Sequence, residues 1–142
     1  MASQSPIPFI VGLALTREQL DLLARNRLGN DVVDSTNCGD AAYAMELYWD
    51  ANGIHQIILD LDDAPYRYFY VVDVFPSFNG TPPQAQVNYK SLKKHRDDLG
   101  EAWNSVKLLS RRWPKDMPEP EWLYPKMHAA IERMQAARKR YQ

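Results

Sequence analysis

Cys38 stands in the segment Ser35-Thr36-Asn37-Cys38-Gly39-Asp40, just ahead of a helical pattern. A thiol at the mouth of a helix meets unpaired backbone N–H groups and the positive end of the helix dipole. Both favour the nucleophilic thiolate. Asp60, Asp62 and Asp63 place three carboxylates within four residues, a donor type that suits hard divalent cations. Tyr66, Tyr68, Phe69 and Tyr70 interleave with Arg67, as in strands that stack single-stranded bases. Acidic neighbours would repel phosphate there, and core packing is the simpler reading of those rings. Trp103, Arg111, Arg112, Trp113 and Trp122 bring together the two residue types that dominate protein interfaces. His55, His95 and His128 are too widely spaced, with no Cys or Asp at ligand distance, to read as a zinc site, so no metal site is assigned. No glycine-rich phosphate loop of a standard type occurs, and no cofactor is implied.

Asn37-Cys38-Gly39 followed by Ala41-Ala42-Tyr43-Ala44-Met45 resembles the nucleophile segment of papain-like cysteine peptidases and papain-fold toxins. The resemblance implies a helix opened by the nucleophile, with a histidine base on a following strand and a carboxylate or amide that orients it. In chain order Cys38, His55 and Asp73 fill those places. The helix between Cys38 and His55 accounts for about 14 residues, or roughly 21 Å at 1.5 Å per residue. His55 is therefore expected beyond its far end, with His95 and His128 as the other bases available. Ile57-Ile58-Leu59-Asp60-Leu61-Asp62-Asp63 resembles the first motif of haloacid-dehalogenase-type phosphatases. Ala64-Pro65 then leads into a strand instead of a helix, which makes an acidic hairpin tip the preferred reading.

The elements that would position these residues follow from periodicity. Residues 7–15 are a nearly unbroken apolar run and predict a strand buried on both faces. Thr16 with Gln19 forms a capping-box pattern, Leu20, Leu23, Ala24 and Leu28 repeat at helical spacing, and Gly29 closes the helix. Residues 30–39 read as irregular. A second helix is expected over about 40–51, with Ala41, Ala44, Met45 and Tyr48 facing inward. Strands at 54–61 and 66–75 form a hairpin around a turn at 62–65, the second strand lying centrally because both its faces are apolar. Residues 76–86 read as loop. A long helix is expected from about Tyr89 to Arg112, with Lys93–Asp97 and Lys94–Asp98 as outward pairs and Gly100 as a kink. The final helix starts near Trp122, since Pro125 fits only a first turn, and buries Leu123, Met127, Ile131, Met134 and Ala137. The expected fold is α+β: a small sheet with a β-hairpin against two short helices, completed by a C-terminal helical hairpin.

At 142 residues with 45% hydrophobic content, the chain suits one domain with a substantial core. Residues 1–6 are expected to be flexible. No secretory signal, membrane span or disulfide framework is visible, which predicts a soluble intracellular (cytoplasmic) protein. Net charge is −1, but it is unevenly spread. Residues 1–80 carry four Arg against eleven Asp or Glu, and residues 81–142 carry thirteen Lys or Arg against seven. A near-neutral chain gives nucleic acid no general attraction. The expected function is non-catalytic binding of another protein, with a second copy of the chain among the possible partners and no membrane role. The alternative is a papain-like cysteine hydrolase or deamidase acting through Cys38.

Overall fold

The computed structural model describes residues 6–61, 66–81 and 89–140. Ile7–Leu15 forms strand β1, with Phe9, Ile10, Val11, Leu13, Ala14 and Leu15 all buried. Thr16 then caps helix α1, Arg17–Leu28. Its hydroxyl accepts the Gln19 N–H, the Gln19 side chain accepts the Thr16 N–H, and Gly29 ends the helix at φ +97°. The stretch expected to be irregular holds a short helix α2, Asn30–Ser35, which buries Val33. Asp40 caps helix α3, Ala41–Ala51, through the Tyr43 N–H. The inward residue in the last turn of α3 is Trp49; Tyr48, expected there, is exposed.

Strand β2 is shorter than expected, Ile58–Asp60, and pairs antiparallel with β3, Tyr68–Ser77, in the register Ile58↔Tyr70, Leu59↔Phe69 and Asp60↔Tyr68. The expected turn at 62–65 lies outside the described residues, as do residues 82–88 of the loop and its approach to the next helix. Helix α4 is Tyr89–Leu99. The long helix expected to reach Arg112 stops here, because Gly100 adopts φ +56° and opens a 3₁₀ segment, Gly100–Ser105. Lys107–Arg112 is then strand β4. One arm of the expected C-terminal helical hairpin is therefore replaced by a 3₁₀ turn and a strand, while the other is helix α5, Leu123–Arg140, starting as Pro125 required. The sheet is antiparallel with strand order β2-β3-β1-β4, so β3 is internal as expected and the α+β class holds.

The chain divides into two packed units. One comprises residues 12–71 and 87–108, the other residues 1–11, 72–86 and 109–142. In the first, α1 packs against α2, α3 and α4 around Leu20, Leu23, Met45 and Leu99. Gly12 lets β1 approach β3 closely, since a Cβ there would lie 2.5 Å from the Tyr70 carbonyl oxygen. In the second, Phe9, Ile10, Val74, Trp113, Leu123 and Met127 form the core. No helix among the described residues is long and apolar enough to cross a membrane.

Candidate functional site

Cys38 is exposed on a tight turn before α3. Asn37, Cys38 and Gly39 take φ values of 42°, 61° and 88°, and the Thr36 carbonyl accepts the N–H groups of Gly39 and Asp40. The thiol borders a cleft of about 600 Å³ whose lining includes Arg17, Asp21, Asp40, Arg67 and Tyr68 but, among the described residues, no histidine. His55 lies past Ala51, at the opposite end of α3 from Cys38. Eleven helical residues separate the two ends by about 16 Å. A nucleophile and its base need hydrogen-bond reach, about 2.6–3.2 Å. Asp73 sits half-buried in β3, where its carboxylate accepts the Val74 N–H at 2.8 Å.

The most elaborate polar assembly was not visible in the sequence. Arg27 of α1 donates to Asp98 at 2.7 Å, to the Tyr70 hydroxyl at 2.9 Å and to His95 Nδ1 at 2.9 Å. The Asn26 amide donates to the Asp98 carbonyl. Trp49 and His95 both meet the Tyr70 ring edge-on, with centroids 5.4 and 4.9 Å away. Asp98 thus turns inward to Arg27, where an outward pair with Lys94 was expected. Burial, and then the Arg27 guanidinium, lower the His95 pKa to about 4, so the neutral ring accepts from Arg27. Burial raises the Tyr70 phenol above its ordinary range. The Arg27 guanidinium directs its three nitrogens to Asp98, Tyr70 and His95, as a structural lock requires.

That lock sets a pH dependence. His95 titrates at about 4 when folded and near 6.5 when exposed, so the unfolded chain binds the extra proton across that interval. Its contribution is fully present above about pH 6.5 and is lost as pH falls toward 4. Between pH 7 and 4.5 the loss from this group is on the order of 2 kcal/mol. Urea midpoints at the two pH values should show it, and His95→Gln should flatten the difference.

The residues of the expected tryptophan–arginine surface stand on different elements. Trp103 is half-buried in the 3₁₀ turn, and Arg111 and Arg112 lie on β4 instead of a helix. Trp113 is only 5% exposed and donates its indole N–H to the Met117 carbonyl, so it is a core ring fastening a turn. Trp122 is half-buried, with the Lys126 ammonium 5.4 Å above its ring.

Helix α5 supplies a different surface. Leu123, Met127 and Ala130 are buried, but the apolar stripe continues to Ile131 and Met134 beyond the core. Met134 is 48% exposed and Phe78 is 57% exposed. With Ile131, Gln135 and Arg138 they line a largely apolar groove of about 240 Å³. The signal for it was present in the sequence as a stripe one to two turns longer than the core needs.

Comparison with family models, curated proteins and solved structures gave no match. The resemblance at Asn37-Cys38-Gly39 therefore rests on those residues alone. Among the described residues, no three His, Cys, Asp or Glu side chains gather as a metal site. The chemistry on display is an accessible thiol in a cleft, a closed polar lock, and an open apolar groove beside cations.

Proposed function

We propose that this chain is a non-catalytic protein-binding domain, working inside the cell, that seats an acidic amphipathic segment of a partner in the groove on α5. The observation that carries this reading is the uncovered stripe: Ile131 and Met134 continue the buried face of α5, yet they and Phe78 border solvent. Large apolar side chains clustered at a surface and rimmed by polar groups mark interaction sites. Arg138 lines the groove and Lys139 follows it, whereas at 3.6 residues per turn Arg133 and Arg140 fall on the opposite side of α5, whose one acid is Glu132. Among the described residues none of those four cations is in an ion pair. Arg138 and Lys139 at the groove favour acidic partners and speed their encounter. The test is a titration with a designed acidic amphipathic helical peptide. Wild type should bind it, and Met134→Glu should weaken binding at least about tenfold by placing a like charge in the groove. Equal binding by the variant would remove the groove from the reading.

One observation favours a second reading, a cysteine hydrolase or deamidase similar to the papain-like enzymes. Cys38 is exposed in a sizeable cleft on a left-handed turn. The pH profile of its alkylation by iodoacetamide, with Cys38→Ser as blank, separates the two. A midpoint well below the roughly 8.5 of a free thiol, together with hydrolysis of a test amide, supports the enzyme. A midpoint near that value removes it.

A further inference from the structure

The groove on α5 has a counterpart of opposite sign on this same chain. On α3 the buried arc is Ala41, Ala44, Met45 and Trp49. The opposite arc carries Tyr43 and Leu47, four residues apart, and both are 45% exposed. Glu46 and Asp50 flank them, Ile54 adds a further exposed apolar side chain just past the helix, and α3 contains no Lys or Arg. Glu46 and Asp50 take part in none of the ion pairs among the described residues. Burial and the neighbouring Asp50 and Asp40 carboxylates push Glu46 above its ordinary range, a carboxylate crowded by its own sign. An amphipathic helix with an acidic rim is what the basic apolar groove is built to take.

We propose that the groove lined by Phe78, Ile131 and Met134 receives the Tyr43–Leu47 face of α3 from a second copy of this chain. The proposal rests on the groove being a protein-binding site and names its occupant. Tyr43 and Leu47 supply the apolar contact, and Glu46 and Asp50 meet the cations at the end of α5, Arg138 among them. The pairing also accounts for the separation of charge along the sequence, with the acidic residues concentrated before residue 80 and the basic ones after it. Because the two faces differ, the contact is heterologous. Each copy offers one groove and one α3 face, so association extends head to tail unless a ring closes.

Sedimentation of the full chain across micromolar to submillimolar concentration tests this. Wild-type mass should rise above the monomer with concentration. Association should weaken by about tenfold or more as salt rises from roughly 0.05 to 0.5 M, because screened charges contribute less. A variant with Tyr43→Ala and Leu47→Ala should be monomeric, and so should one with Met134→Glu and Arg138→Glu. None of these side chains is in the core, and circular dichroism checks that both variants remain folded. Mixed in equal amounts, the two should form a one-to-one dimer and nothing larger, since each keeps the face the other has lost. A wild type that stays monomeric throughout overturns the proposal. So does association that survives both variants, or a mixture that stays monomeric. If the wild type is monomeric yet its groove binds the acidic peptide, the partner is another protein and the binding reading survives; if it binds neither, both are lost.

Discussion

Arg27→Ala should cost about 3–5 kcal/mol of stability, the penalty expected when one member of a buried ion pair is removed. The Arg27 and Asp98 side chains are 7% and 16% exposed and meet at 2.7 Å. Removing the guanidinium strands the Asp98 carboxylate and takes the donors from the Tyr70 hydroxyl and His95 Nδ1. The lock joins α1, β3 and α4, so the loss is felt by three elements at once. Asp98→Ala should cost a comparable amount by leaving Arg27 with the neutral Tyr70 and His95 as its partners. The double variant should cost much less than the two losses added, because neither charge is then left uncompensated. Urea denaturation of the four proteins completes the cycle. Single losses below about 1 kcal/mol, the range of exposed pairs, would mean the cluster is hydrated in solution. That lower range is the one expected for Arg67–Asp60, where both side chains are about half exposed.

Gly12→Ala should be nearly as damaging, although it adds a single carbon. The new Cβ would stand 2.5 Å from the Tyr70 carbonyl oxygen and 2.6 and 2.9 Å from two Phe69 ring carbons. None of these can yield cheaply. The oxygen belongs to the backbone of an internal strand, and Phe69 is among the largest fully buried side chains. Relief requires β1 and β3 to move apart, an overpacking cost of about 3 kcal/mol. Thermal melts would show it. Trimming the ring with Phe69→Leu in the same chain should fail to restore the lost stability, since the carbonyl clash remains. An unchanged melting temperature for Gly12→Ala would show that the two strands are less closely packed in solution.

The parts of the fold written in local chemistry were readable from the sequence. The apolar run of β1 and the Thr16–Gln19 capping box each act within a few residues. The β2–β3 hairpin likewise pairs neighbours. Where non-local partners decide, the pattern misled. Leu92, Leu99, Trp103, Val106 and Leu109 fit a helical period, yet the left-handed backbone at Gly100 breaks the helix and Lys107–Arg112 joins the edge of the sheet. Trp49 replaces Tyr48 in the α3 core because the Tyr70 ring lies there to receive it. The Arg27 lock joins residues as far apart in sequence as 71 positions, a distance no spacing rule covers. The Cys38 segment was legible as the approach to a helix, but the exposure of the thiol was not, and the helix that follows carries the chain away toward His55. On α5 the error was informative: Ile131 and Met134 were read as core because they continue its stripe, and their exposure is what defines the groove.

The most direct measurement is a map of backbone amide shifts in the full chain during titration with the acidic amphipathic peptide. The shifts should concentrate at residues 78–81 and 131–138, saturate with concentration, and shrink at high salt. Shifts confined to Cys38 and the cleft beside it with none at 131–138, or no shifts at all, would contradict binding through the α5 groove.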